Sequence, residues 1–216
     1  MRSGRMRLLV LDAALSRCLA ALVEDGTLRA ERIAAGAHGQ AAALPPLALA
    51  VLDGPVDAVA VGVGPGSFTG LRSAIALAQG IATARGIPLV AVTTGEALAA
   101  TSGPLDSGAT PATWSATENR RGQLFVERFA ADGTALGPPE VLAEAALPQP
   151  EVLTRIVGDG APRAAARLAA RGWPVVLGET RQIEPLALAA VARRRLSGEL
   201  PALPVEPVYV EPPATT

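Results

Sequence analysis

The stretch 56–93 limits the folds open to this chain more than any other part of the sequence. Two β-branched apolar runs, 56–63 and 87–92, lie on either side of a helical pattern that begins at Gly70. Two such runs joined by one helix predict a right-handed crossover between parallel strands. The first run and the helix are joined by the turn Gly64-Pro65-Gly66-Ser67-Phe68-Thr69-Gly70. This pattern predicts an α/β fold.

The glycine-rich turn has two interpretations, and spacing alone leaves both open. Glycines before a helix N-terminus can bind an anion or a nucleotide, although no Lys-Ser/Thr pair follows the last glycine as in a Walker loop. In the structural interpretation, Pro65 fixes one φ angle and the glycines adopt positive φ. Ser67 or Thr69 then caps the helix. Because glycine turns are common between strands and helices, we expect the structural role.

The residues before the crossover predict an antiparallel meander. Segments 6–11, 17–24 and 27–33 are β-like, and Asp25-Gly26 is a hairpin signal. The links are too short for crossover helices, so these strands pair antiparallel. A helical stretch at 38–52 completes the order βββαβαβ. This order predicts one lobe of the actin-like, ribonuclease H-like superfold.

The second half predicts a smaller version of the same lobe. The loop-rich stretch 101–111 indicates a boundary, which divides the chain into an N-terminal lobe, 1–104, and a C-terminal lobe, 105–216. Beyond it, the patterns predict three strands and two helices, at 123–129, 155–158, 162–171, 173–177 and 184–196. The fold class is therefore α/β, as a duplicated actin-like fold of two lobes.

Composition excludes several kinds of chemistry. All 19 basic residues are arginines, so neither a Schiff-base lysine nor a phosphate-loop lysine exists. Cys18 is the sole cysteine and His38 the sole histidine, so the chain offers no disulfide, paired-histidine motif or cysteine cluster for a metal. No stretch is convincing as a membrane span. We expect a soluble, cytoplasmic protein without a metal site.

The turn and the helix after it match a known family in detail. Gly62, the run 64–72 and the later Ala78-Gln79-Gly80 resemble the bacterial TsaB family, whose older name is YeaZ. Weaker similarity covers the opening hairpin at 8–26, the segment 120–125 and the tail 206–209. TsaB is the dimerization subunit of the complex that makes threonylcarbamoyladenosine next to the tRNA anticodon.

The resemblance implies a noncatalytic scaffold subunit. Its partners would be a TsaD-type catalytic subunit and a TsaE-type ATPase, with tRNA reached only through the complex. It implies no cofactor in the isolated chain, and ATP or ADP only in the assembled complex. The alternative hypothesis is a stand-alone actin-like phosphotransferase or hydrolase.

The two helices of the first lobe favour a partner. The helix at 70–84 has one apolar face and a second face of mostly small residues, and the earlier helix is apolar all round. Small residues allow a second helix to approach closely. They could form an interface with the catalytic subunit or a homodimer, or the two helices could cover each other. The predicted interface residues are Ser73, Ala76, Leu77, Gly80, Ala84, Leu44 and Leu47.

Two positions depart from the pattern of the family. The turn after the first strand reads Asp12-Ala13-Ala14, where family members have Asp-Thr, so a phosphate-binding donor is missing. Glu118 is followed by Asn119 instead of alanine. The arginine pair at 120–121 and the run 193–195 could contact RNA or could be solvated.

Overall fold

The computed structural model describes residues 5–36, 39–103, 105, 108 and 110–210. His38, predicted to flank the first helix, lies outside the described residues. Contacts group the chain into two compact units. Unit 1 contains the described residues up to Thr93 together with Ile183–Val208, and unit 2 contains Thr94–Gln182 with Tyr209 and Val210.

Unit 1 has the predicted βββαβαβ order. Strands β1 and β2 pair antiparallel, as do β2 and β3, whereas β1 and β4 pair parallel, as do β4 and β5. The sheet order is β3-β2-β1-β4-β5. Asp25 and Gly26 both have positive φ in the β2–β3 hairpin, as its sequence signal predicts. The elements are β1 (Arg7–Asp12), β2 (Arg17–Glu24), β3 (Thr27–Ala35), α1 (Gln40–Val51), β4 (Ala58–Gly64), α2 (Phe68–Arg85) and β5 (Leu89–Thr93).

Both faces of the unit 1 sheet are covered, which explains the unbroken apolar runs of its central strands. Helices α1 and α2 pack on the face that presents Leu9, Leu11 and Val61. A later helix, α5 (Pro185–Leu196), also packs against this sheet, and its Leu188 is fully buried. Every residue of β4 is buried as a result.

Unit 2 repeats the strand order of unit 1, and most of its elements are shorter than their counterparts in unit 1. Its sheet order is β10-β9-β6-β7-β8, with β6 parallel to β9 and antiparallel to β7. The repeated order confirms the duplicated actin-like fold. The elements are α3 (Thr94–Ala99), β6 (Ala112–Glu118), β7 (Leu124–Phe129), β8 (Glu140–Leu142), a 3-10 turn (Glu144–Ala146), β9 (Thr154–Val157), α4 (Ala161–Ala169) and β10 (Val175–Leu177).

The structure adds elements that the sequence patterns did not predict. Strands β6 and β8 and the short helix α3 are new, and α5 belongs to unit 1 although the predicted division at 104/105 places it in the second lobe. Three buried hydroxyl residues of β6, Thr113, Ser115 and Thr117, explain why a search for apolar runs passes over that strand. Among the described residues, no helix combines the length and apolar character needed to cross a membrane.

Candidate functional site

The glycine-rich turn joins β4 to α2 and packs against the turn between β1 and β2. The backbone N–H of Ser67 donates to the carbonyl oxygen of Ala14 at 2.7 Å. The Ser67 hydroxyl accepts from the N–H of Gly70 at 3.3 Å, so Ser67 is the N-cap of α2. Thr69, the other predicted cap, lies inside the helix. The helix therefore begins at Phe68, two residues before the predicted start.

Close approach between the two turns accounts for the glycines. A Cβ atom on Gly66 would overlap the carbonyl oxygen of Ala14, and one on Gly70 would overlap that of Ala13. Gly64 has a φ of +98°, a conformation that favours glycine. These contacts support the structural interpretation of the turn.

Asp12, at the end of β1, is a buried carboxyl group beside this contact. Only 1% of the residue is exposed, and its Oδ2 accepts from the N–H of Ala14 at 3.2 Å. Its Oδ1 has no hydrogen-bond partner among the described residues. Burial raises the pKa of Asp12 to about 7, against the opposing effects of the Ala14 amide and the Arg17 charge. Gly62 leaves room for this carboxyl, because a Cβ there would overlap Oδ1.

The β1–β2 turn is held in place by protein groups. Gln40 Nε2 donates to the carbonyl oxygen of Leu15 at 2.9 Å. Arg17 Nη2 donates to the carbonyl oxygen of Ile183 at 2.6 Å and to Glu184 Oε1 at 3.0 Å. In the described ranges, no group of three or more His, Cys, Asp or Glu side chains is placed to hold a metal ion.

Most of the predicted interface residues lie on the outer surface of α2. Ala76, Gly80 and Ala84 are exposed, and Ser73 and Leu77 are half-buried. Nothing lies within 4 Å of a Cβ atom built on Gly80. The α1 positions differ, because Leu44 is fully buried in the core and Leu47 is half-buried against it. Leu44 is therefore not a surface residue of α1, contrary to its prediction as an interface residue.

The outward side of α1 carries no charge. Helices α1 and α2 contact each other over the same face of the sheet, as the internal-cover alternative predicts. That contact leaves a second side of each helix exposed. Leu49 is 74% exposed, the most exposed large apolar side chain of unit 1. The exposed residues of α1 are Ala41, Ala42, Pro45, Pro46, Leu49 and Ala50.

Comparisons with a family model and with a solved structure identify the family of this chain. The family model described as "TsaD: tRNA N6-adenosine threonylcarbamoyltransferase" matches residues 48–184, more than half of the chain. The structure of YeaZ from Pseudomonas aeruginosa has a TM-score of 0.75 and 27% identity, over 94% of this chain and 99% of that one. The chain belongs to the TsaB (YeaZ) family.

Two relatives show how the TsaB similarity is distributed. The Escherichia coli K12 tRNA threonylcarbamoyladenosine biosynthesis protein TsaB is 36% identical over 96 residues, which is 41% of each protein. An uncharacterized protein of Mycobacterium bovis is 31% identical over 213 residues, 95% of this chain and 92% of that protein. Similarity within the family therefore covers both units.

The first departure from the TsaB pattern lies in the turn after β1. Ala13 stands where the resemblance implies a threonine after Asp12, and the carbonyl oxygens of Ala13 and Ala14 face the glycine turn. Glu118, the second departure, lies within 3.1 Å of the Arg163 guanidinium, and its N–H donates to Asp159 Oδ1 at 2.9 Å.

The arginines predicted as alternative RNA contacts divide into two kinds. Arg195 donates from Nη1 to the carbonyl oxygen of Ala91 at 2.6 Å and from Nε to that of Pro201 at 2.7 Å, which fixes the end of α5 within unit 1. Arg193 and Arg194 are exposed, as are Arg120 and Arg121 in the β6–β7 turn. RNA contact by these four stays a prediction.

The sequence patterns did not predict three features of the structure. The Arg72 guanidinium carbon lies 3.8 Å from the centre of the Phe68 ring, and this pair begins the exposed surface of α2. The contact of Gly62 with Asp12 joins residues fifty positions apart. An arginine-lined groove in unit 1, described below, combines residues from three separate segments.

Proposed function

We propose that this chain is a noncatalytic subunit in tRNA threonylcarbamoyladenosine biosynthesis and that it binds a TsaD-type catalytic subunit. Support comes from membership of the TsaB family and from the name of the E. coli relative, whose match spans 41% of that protein. The observation that carries the proposal is the outer surface of α1 and α2, which carries charge only at Arg72 and Arg85, near the two ends of α2. We define the docking face as the exposed or half-exposed residues Ser73, Ala76, Leu77, Gly80 and Ala84 of α2 with Leu47 and Leu49 of α1.

The chemistry of the docking face fits a protein partner better than solvent. A helix surface exposed to water usually carries charged residues, whereas α1 has none. Alanine and glycine let a second helix backbone come close, and Leu49 supplies an apolar side chain for burial. The same face could form a homodimer in the free protein, which the catalytic subunit would then replace.

The β1–β2 turn and the glycine-rich turn of unit 1 support a noncatalytic role. Carbonyl oxygens of Ala13 and Ala14 occupy the space against Gly66 and Gly70, where phosphate-binding folds place hydrogen-bond donors. The chain also contains no lysine that could bind a phosphate. We therefore expect ATP or ADP to bind only in the assembled complex, with a TsaE-type ATPase as a further partner.

The central experiment compares partner binding by matched helix-surface variants. Ala76→Arg and Gly80→Arg should stay folded, because both positions are exposed and a Cβ at Gly80 meets nothing. Each should lose co-purification with the catalytic subunit, since a large charged side chain cannot be buried unpaired. Ala166→Arg, at an exposed position of α4 in unit 2, is the matched control and should retain the partner.

The outcome is measured by size-exclusion chromatography beside circular dichroism. Folded Ala76→Arg and Gly80→Arg proteins that bind the catalytic subunit as well as wild type would remove α2 from the interface. The stand-alone phosphotransferase or hydrolase hypothesis is tested separately. Steady ATP turnover by the purified chain that disappears in Asp12→Asn would favour that alternative.

A further inference from the structure

A groove at one edge of unit 1 brings together three arginine side chains. It has a volume of about 550 Å³ and lies where the N-terminal end of β1, the β2–β3 hairpin and the segment after α1 meet. Arg5, Arg7 and Arg29 line it, together with Glu24 and Asp53. Leu22 and Val51 form an apolar part of the wall of the groove. The lining thus carries three positive charges and two negative charges.

The arginines are held in place but keep unused hydrogen-bond donors. Arg7 Nη2 donates to the carbonyl oxygen of Asp53 at 2.6 Å, and its buried Nε has no partner among the described residues. Arg29 Nε lies 2.8 Å from Glu24 Oε2, and Arg5 Nη1 lies 3.8 Å from Glu24 Oε1. A guanidinium group has five N–H donors. These contacts therefore leave most of the donors of the exposed Arg5 and Arg29 side chains available.

Glu24 positions the two outer arginines. Its side chain is 14% exposed and faces both Arg5 and Arg29, whose side chains are 78% and 50% exposed. One carboxylate between two guanidinium groups leaves a net positive charge beside the fixed Arg7. Planar guanidinium groups that converge in this way match the oxygen geometry of phosphate.

We propose that this groove binds a phosphate group, and that the backbone of the tRNA substrate supplies it. The RNA source rests on the proposed function, whereas the phosphate chemistry follows from the groove alone. The groove is open to solvent on one side, as a backbone passing over it requires. Arginine contacts to phosphate set the position of a nucleic acid without reading its bases. The groove would thus orient the tRNA relative to the catalytic subunit.

The test measures binding of an unmodified tRNA transcript to the full chain, alone and with the catalytic subunit. Arg5→Gln combined with Arg29→Gln should weaken tRNA binding roughly tenfold. The slope of log affinity against log salt should become shallower by about 0.7 to 0.9, because one fewer phosphate is neutralised. Arg32→Gln combined with Arg167→Gln removes the same charge from exposed positions outside the groove, and it should leave both values unchanged.

A gain-of-binding variant separates this site from a purely structural role. Glu24→Gln frees Arg5 and Arg29 from their carboxylate and should tighten tRNA binding several-fold, which loss of structure cannot do. Inorganic pyrophosphate is the second probe. If only pyrophosphate binding is lost in the Arg5/Arg29 double variant, the phosphate comes from a free ligand instead of RNA.

The proposal is overturned if the folded double variant binds both tRNA and pyrophosphate as wild type does. Failure of the proposed function is a different result, since it would appear as absence of association with the catalytic subunit in the wild-type chain. The Arg5/Arg29 double variant should retain that association, because the groove residues lie outside the docking face.

Discussion

The turn after the central parallel strand makes the same hydrogen bond in both units, yet the helices beyond it present different surfaces. In unit 1, Ser67 N–H donates to the carbonyl oxygen of Ala14 at 2.7 Å. In unit 2, Gly160 N–H donates to the carbonyl oxygen of Ala116 at 3.0 Å. Each bond ties a helix start to the end of the first strand of its sheet. The backbone arrangement was thus kept in both copies.

The surfaces have diverged around this common backbone. Unit 1 has an 18-residue α2 beside an uncharged α1, whereas unit 2 has a 9-residue α4 beside a three-residue 3-10 turn. Arg163 of α4 forms ion pairs with Glu118 and Glu144, which are partly exposed groups that suit contact with water. The comparison shows that one strand order is compatible with different helix lengths and different surface charges.

The largest effect should come from adding a methyl group at Gly66, where the neighbouring atoms are backbone. Gly66→Ala places a methyl group on the backbone carbonyl of Ala14, which cannot move without shifting β1. We expect a loss of about 3 kcal/mol or more in the free energy of unfolding. At Gly160, the nearest atom to the new methyl is the end of the Leu124 side chain, at 2.5 Å. Gly160→Ala should cost about 1 to 2 kcal/mol.

Urea unfolding of the two alanine variants measures this difference directly. Equal losses at Gly66 and Gly160 would contradict the expectation that a backbone neighbour yields less readily than the end of a side chain. Wild-type slopes of free energy against urea concentration in both variants confirm that stability alone has changed.

A second effect concerns the buried carboxyl of unit 1. Because the pKa of Asp12 is raised to about 7 when folded, its protonated form is favoured by folding. The stability from this group is fully present below the ordinary pKa of aspartate, near 4, and is lost as the pH rises through about 7. Relative to Asp12→Asn, the wild type should lose on the order of 2 to 4 kcal/mol between pH 4 and pH 8.

Thermal or urea unfolding across this pH range provides the measurement. Asp159 of unit 2 is the matched comparison, since burial also raises its pKa but the residue is only half-buried, whereas Asp12 is fully buried. Its Asn variant should change the pH dependence less. A parallel pH dependence for wild type and Asp12→Asn would mean that Asp12 has an ordinary pKa when folded.

The smallest effect should come from the helix cap. Ser67→Ala removes the hydroxyl that accepts from Gly70 N–H and should cost about 1 kcal/mol. Thr69→Ala, inside the first turn, should stay within about 0.5 kcal/mol of wild type. A larger loss at Thr69 than at Ser67 would assign the cap to Thr69, as one sequence interpretation proposed. In unit 2, the N-cap of α4 is Gly160, which has no side chain to cap the helix, so the two helices differ here as well.

Sequence patterns predicted unit 1 well because its signals are local. Short β-like segments, a hairpin dipeptide and a strand–helix–strand spacing each lie within about forty residues, and each is present in the structure. The polar strand β6 and the short α3 were missed, because their burial depends on contacts with residues distant in sequence. The packing of α5 in unit 1 is also a long-range contact, which the periodicity of the sequence does not reveal.

The sequence patterns showed which side of α2 is exposed but not which side of α1 is exposed. Most of the α2 positions were placed on the correct side because buried and small residues alternate with helical period. On α1, residues are apolar all round, so the pattern does not show which side faces the sheet. Leu44 was therefore assigned to the surface, whereas it shares the buried side with Gln40, Ala48 and Val51. The arginine groove needs three separate segments, and no local motif marks it.

The place of α5 determines the order in which a growing chain can fold. One face of the unit 1 sheet is covered by a helix that ends at Leu196, so synthesis of unit 2 is nearly complete before that face is closed. A nascent chain that stops near residue 104 has the β strands of unit 1 but not this helix. Such a fragment leaves Leu8, Val10 and Leu19 without the cover that α5 gives the sheet. An expression fragment for unit 1 must therefore include 183–208, supplied as a second chain or through a linker after Thr93.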